Sequence, residues 1–189
     1  MPVPINPGYL AVFSDTLFFG ADDGVHGQEL WQYDGVTATL VADICPDAIT
    51  SFPGYPAVFS NTLFFQANDG IHGLELWQYD GVTVTMVADI NPSGGSYAKF
   101  PTPFEGLLYF QANDGLHGCE LWQYDGVTVT MAADINPTFG SYPGGSDRYS
   151  GLVAYRGGLY FTANDGTHGR ELHGLLLHTA YLPLVLCEF

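Results

Sequence analysis

An aspartate, a histidine and a glutamate recur together four times in this chain of 189 residues: Asp23/His26/Glu29, Asp69/His72/Glu75, Asp114/His117/Glu120 and Asp165/His168/Glu171. Carboxylates and an imidazole so close in sequence could hold a divalent ion, the oxygens suiting calcium and the imidazole a transition metal. The spacing is not that of an EF-hand loop. A set present in every copy of a repeat is more often scaffold than active centre, so the stronger expectation is that each set locks a turn by hydrogen bonding. No cofactor is expected beyond a calcium ion in these sets. A catalytic role is weaker still, because four equivalent sites would each need a cleft. No Ser-His-Asp order, phosphate-binding loop, dinucleotide fingerprint or Cys-His pair stands in a suitable context, and no enzyme is expected.

Aromatic residues form the second group with chemical capacity. Trp31, Trp77 and Trp122 recur with Tyr33, Tyr79 and Tyr124 on one strand-like run. Sugar rings stack on such platforms, and amphipathic tyrosine and tryptophan suit interfaces. For the tryptophans the competing expectation is inter-blade core, because large aromatics bury most of their area. The segments that vary most between repeats, Asp47–Pro56, Ser93–Pro103 and Thr138–Gly151, carry Tyr55, Tyr97, Tyr142 and Tyr149 among Ser, Gly and Asn. Binding residues concentrate on loops mounted on rigid scaffolds, so these four are the preferred ligand contacts, with plain surface linker as the alternative.

These residues are placed by one stretch that the chain contains four times. Its clearest copy is Leu63–Asp89, LFFQANDGIHGLELWQYDGVTVTMVAD; relatives begin at Leu17, at Leu108 and, degraded at the end, at Leu159. The repeated glutamates are 46, 45 and 51 residues apart. At such a period each copy is one supersecondary unit that buries itself against its neighbours. In the second copy four strand-like runs follow one another: Tyr55–Ser60, Leu63–Ala67, Glu75–Tyr79 and Val82–Ile90. Ser60-Asn61, the glycine-containing loop Asn68–Gly73 and a tight Asp80-Gly81 hairpin join them.

The fourth run alternates, with Val82, Val84, Met86, Ala88 and Ile90 on one face, as a half-exposed strand does. Leu63-Phe64-Phe65 is apolar on both faces, as a strand covered by two layers is. The expectation is an all-β fold, a β-propeller of four four-stranded blades at approximately 8–46, 55–92, 100–137 and 150–189 in a single repeat domain, 1–189. Four blades either close as a small propeller within one chain or form an open arc that pairs with another copy.

The core AxDGxHGxELWxYDG resembles the ELWxxDGT repeat of bacterial surface and secreted proteins, over nearly the whole chain. That resemblance implies a propeller-like module, extracellular or at the cell surface, and implies no activity. The chain departs from the pattern where Val36, Val82 and Val127 displace the threonine after Asp-Gly. It departs again where His173 replaces the tryptophan of the last copy.

Composition narrows the partners. Four Lys+Arg stand against twenty Asp+Glu, a formal charge of -16. Such a surface repels phosphate backbones and anionic membranes, so neither nucleic acid nor membrane insertion is expected. The start MPVPINPGYL shows no secretory signal, and the longest apolar tract, Leu175–Cys187, is shorter than the roughly 20 residues of a membrane span. Cys45, Cys119 and Cys187 form neither a disulfide framework nor a zinc pattern. The function expected is a non-enzymatic binding module that takes a glycan or protein ligand through its inter-blade loops. The alternative is a structural subunit that self-assembles into a filament, sheath or ring, as a homo-oligomer joined through the apolar tail Leu175–Phe189.

Overall fold

Short apolar runs punctuated by glycine, asparagine and aspartate become antiparallel strands in every repeat. The computed structural model describes residues 5–46, 48–145 and 151–176. The first sheet is β1 (Ile5–Phe13), β2 (Thr16–Asp22), β3 (Gln28–Tyr33) and β4 (Ala38–Ala42), paired in sequence order. The second is β5 (Gly54–Phe59), β6 (Thr62–Asn68), β7 (Leu74–Tyr79) and β8 (Val84–Ala88), and the third is β9 (Lys99–Phe104), β10 (Leu107–Asn113), β11 (Cys119–Tyr124) and β12 (Val129–Ala133). The fourth has three described strands, β13 (Val153–Tyr155), β14 (Gly158–Asn164) and β15 (Arg170–Leu176). Its expected fourth strand falls on residues 177–189, outside the described residues. The chain divides into two compact units, Met1–Lys99 and Phe100–Phe189.

Turn chemistry sets the register. The first hairpin of each sheet has a two-residue loop with both residues left-handed: Ser14-Asp15 (φ 48° and 59°), Ser60-Asn61 (47° and 57°), Glu105-Gly106 (50° and 77°) and Arg156-Gly157 (46° and 76°). This is the primed turn whose twist matches the strands it joins. The last hairpin departs from the tight Asp80-Gly81 turn expected. Asp80 Oδ1 accepts the amides of Val82 (2.8 Å) and Thr83 (2.7 Å), and Thr83 Oγ1 reaches Oδ2 at 3.2 Å. That carboxylate holds a longer loop, so β8 begins at Val84 and Val82 is left exposed in the turn. A register shift between Leu76 and Trp77, which face Ala88 and Met86, interrupts the expected alternation at Val87 as a β-bulge.

The inner strands are buried on both faces as their sequences require. In the first unit Phe13, Phe18, Leu30 and Ile44 pack with Leu63, Phe65 and Ala67, and Trp77 and Tyr79 lie against the same cluster. In the second, Phe104, Tyr109, Leu121, Leu152, Leu159, Phe161 and Ala163 form the core, joined by Leu175. Each fully buried Leu or Phe contributes roughly 1.5–3 kcal/mol. Trp31 packs with Phe19 and Ala21 in a third cluster. Trp31 is therefore a core residue, whereas Trp77 and Trp122 are partly buried. Their indole Nε1 atoms, at 31, 77 and 122, are buried with no hydrogen-bond partner among the described residues.

Candidate functional site

The repeated Asp, His and Glu separate into two devices. Asp23 Oδ1 accepts the amides of Val25 and His26, both at 2.9 Å, and Oδ2 lies 2.9 Å from His26 Nδ1. The pairs Asp69/His72, Asp114/His117 and Asp165/His168 repeat this, with carboxylate-to-ring distances of 2.6, 2.6 and 2.7 Å. The backbone amide of His26, above all, holds the Asp23 carboxyl at about 2, and the Asp23 carboxylate in turn raises His26 above its ordinary value. The glycines after His26, His72 and His117 are required by contact: at Gly73 (φ 77°) a Cβ would stand 2.6 Å from the amide nitrogen of Gly95 in the following linker.

The glutamates turn inward. Glu29 is fully buried and receives the amides of Ile44 (2.9 Å) and Ser51 (3.2 Å) and the Ser51 hydroxyl (2.6 Å). Glu75 takes the amide and hydroxyl of Ser96 at 2.8 and 2.5 Å, and Glu120 those of Ser141 at 2.7 and 2.6 Å. Burial pushes Glu29 up to about 7, against the pull of the Ser51 hydroxyl and the backbone amides. Glu29, Glu75 and Glu120 thus each clasp the linker that leaves their own sheet. Sequence reasoning passes over Ser51, Ser96 and Ser141, though a serine followed by an aromatic residue, 21 or 22 positions after each glutamate, is there to be read. Among the described residues only Asp165, His168 and Glu171 bring one ligand atom each within 4.8 Å of one another. The cation-binding reading narrows to that repeat.

The seven candidate tyrosines also divide. Tyr33 and Tyr79 donate their hydroxyls to the carbonyls of Gly35 (2.8 Å) and Gly81 (2.9 Å) and so brace hairpins; Tyr124 is buried. Tyr142 is exposed, and its carbonyl accepts from Arg170 at 3.2 Å. Tyr149 lies outside the described residues. Tyr55 and Tyr97 meet in the wall of one cavity of about 360 Å³, within the first unit.

Strands and linkers of the first unit build that cavity. Tyr9 of β1 and Tyr55 of β5 stand with ring centroids 4.9 Å apart and planes at 46°. The linkers add Phe52 and Tyr97, both half exposed, the latter fixed by its amide donating to Leu74 O at 2.9 Å. Tyr9, Phe52, Tyr55 and Tyr97 all adopt left-handed backbone, with φ between 50° and 54°. Phe100 and Tyr142 share that conformation at the matching places in other linkers, so it belongs to the way a linker enters the next sheet. Gln28 and Gln66 supply amides to the wall, and Lys99 supplies an ammonium 5.9 Å from the centroid of the Tyr55 ring. Gln66 is 6% exposed, and its carbonyl oxygen Oε1 is buried with no hydrogen-bond partner among the described residues. A buried amide oxygen left unpaired costs roughly 1–3 kcal/mol, which a ligand hydroxyl would recover.

Gln66 faces Leu76 across the β6–β7 pair, the register held by Gly20, Gln111 and Thr162 in the other sheets. At Gln111 the wall is closed. With its amide nitrogen turned toward the acceptors, that side chain donates to Pro143 O (3.0 Å) and Gly145 O (2.9 Å). A second cavity, about 410 Å³, opens at the hairpin ends beside Ser14, Gln32, Asn61 and Tyr79. None of its described polar atoms is buried without a partner, and the Tyr79 hydroxyl is spent on Gly81. It is the lesser candidate despite its size. The expected assembly tail starts in β15, where Leu175 packs on the core; residues 177–189 lie outside the described residues.

No protein-family model and no curated protein matches the sequence. Among solved structures, the chain is similar to the β-propeller domain of the Trilobed protease from Pyrococcus furiosus, at 12% identity and a TM-score of 0.59, over 91% of this chain and 52% of that one. The chain thus spans about half the length of that structure, and the likeness establishes a β-propeller-like fold. Weaker matches include a glycosyl hydrolase from Bacteroides ovatus, at 9% identity and a TM-score of 0.35, covering 96% of this chain and 68% of the other. A likeness that weak bears on neither the fold nor the function of this chain.

Proposed function

We propose that this chain is a non-enzymatic carbohydrate-binding module built on a β-propeller-like scaffold, acting outside the cell or at its surface. The observation that carries this reading is the cavity whose wall joins Tyr9, Tyr55 and Tyr97 to Gln66, a residue whose Oε1 is buried without a hydrogen-bond partner among the described residues. A pyranose offers apolar C–H faces and a rim of hydroxyls, so its recognition needs an aromatic face and buried polar groups side by side. The described wall supplies both, and supplies amides where a glycosidase would need a pair of carboxyl groups flanking the bond to be cut. Binding is the chemistry such a wall supports. The resemblance of the repeat to surface and secreted proteins supports the compartment.

A glycan array, followed by calorimetry on its best member, tests the reading. Wild type binds, and Tyr55→Ala and Tyr97→Ala each weaken binding by about tenfold, the loss of one stacking contact, while melting within a few degrees of wild type. A blank array, or variants that bind as wild type does, would overturn it. Capture of a protein ligand through Tyr97 on the same surface, without glycan binding, would replace it.

A further inference from the structure

Lys99 is one of four basic residues in a chain that has twenty acidic ones, and it stands in the cavity wall. The ion pairs among the described residues all join an aspartate to a histidine, so none of them neutralises Lys99. The described wall contains no Asp or Glu. The ammonium lies over the Tyr55 ring, 5.9 Å from its centroid. A ligand anion delivered next to that ring would form a charge-assisted hydrogen bond with the ammonium.

From this arrangement, and resting on the carbohydrate reading above, we infer that the cavity selects a glycan whose terminal sugar carries one negative charge, a carboxylate or a sulfate ester. The sugar ring lies against Tyr55, one hydroxyl donates to Gln66 Oε1, and the anionic group meets Lys99. The net charge of the chain limits the rest of the ligand. At -16 the surface repels a polyanion, so only the terminal residue is charged and the sugars behind it are neutral.

The test is an array of matched glycans that differ in the terminal residue alone: glucose, glucuronic acid, its methyl ester and glucose 6-sulfate, with affinities then measured by calorimetry at fixed ionic strength. At least one of the two anionic forms binds about tenfold tighter than glucose and the ester, the scale of one charge-assisted hydrogen bond. Lys99→Gln removes that preference, so that the anionic forms bind no more tightly than the neutral ones. The two anionic arms identify the carboxylate or the sulfate as the source of the charge. Equal binding of neutral and anionic forms, or a preference that survives Lys99→Gln, overturns the inference and leaves the carbohydrate reading standing. Failure of all four to bind overturns the inference, and a blank on the wider glycan array overturns the carbohydrate reading with it.

Discussion

Gln66 and Gln111 occupy the same register of the same repeat and do different work. Each sits on an inner strand opposite a buried leucine, Leu76 in one sheet and Leu121 in the other. In the third repeat the carbonyls of Pro143 and Gly145 accept from the glutamine, whose amide nitrogen is used up as mortar. In the second repeat the amide oxygen is buried and unpaired among the described residues, and Gln66 lines a cavity with Tyr97 of the following linker. One strand position is thus satisfied by its linker in one repeat and left unpaired in the other. The scaffold itself is indifferent to that choice, because both linkers are held by the same clasp, Ser96 on Glu75 and Ser141 on Glu120.

The largest effect comes from breaking what the two regions share. Glu75→Ala and Glu120→Ala each strand a buried serine hydroxyl and buried amides, and each lowers unfolding free energy by roughly 3 kcal/mol or more, read by urea titration. Glu75→Ala also abolishes glycan binding, because Ser96 precedes Tyr97 and places it. A Glu75→Ala protein that still binds would show that the clasp does not position the cavity wall.

The next effect separates the two regions. Gln111→Leu leaves the Pro143 and Gly145 carbonyls without their donor and costs about 2 kcal/mol, whereas Gln66→Leu removes an unpaired buried oxygen and raises stability by about 1 kcal/mol. Melting curves shifted in the same direction for both would erase the distinction.

The smallest effect concerns pH and acts on every repeat alike. His26, His72, His117 and His168 are all raised by their aspartate partners, so what they contribute is full below the ordinary value of 6.5 and is lost as pH rises through their folded values. Glu29, pushed by burial from 4.5 up to about 7, acts in the same sense and disfavours the folded state as pH climbs through that interval. Asp23, held at about 2, contributes stability that is present above 3.8 and lost as pH falls through its folded value. Calorimetric melting is therefore highest near pH 4–5 and falls by a few degrees toward pH 8. A melting temperature that rises from pH 5 to 8 would contradict these assignments.

Much of the scaffold is legible in the sequence because it is written in local chemistry. Ser60-Asn61 specifies its turn, Leu63-Phe64-Phe65 its double burial, and Asp69 with His72 its loop lock. The departure at Val82 arises because Asp80 captures the Val82 and Thr83 amides, a side-chain to backbone bond that alternation cannot register. The glutamates read as ion ligands because a fully buried glutamate is rare, and only the tertiary fold brings Ser51, Ser96 and Ser141 to pair with them. Of the candidate site, Tyr55 and Tyr97 stand out from their linkers. Tyr9, Gln28, Gln66 and Lys99 carry no signal, because their value depends on which amide a distant linker leaves uncovered.

The central claim rests on Gln66 Oε1 being a recognition group, and the most direct measurement is calorimetric titration of one array-selected glycan into Gln66→Leu and Gln111→Leu side by side. The account predicts that Gln66→Leu loses about tenfold or more in affinity while remaining at least as stable as wild type, and that Gln111→Leu keeps its affinity while melting lower. Wild-type affinity in Gln66→Leu would contradict it.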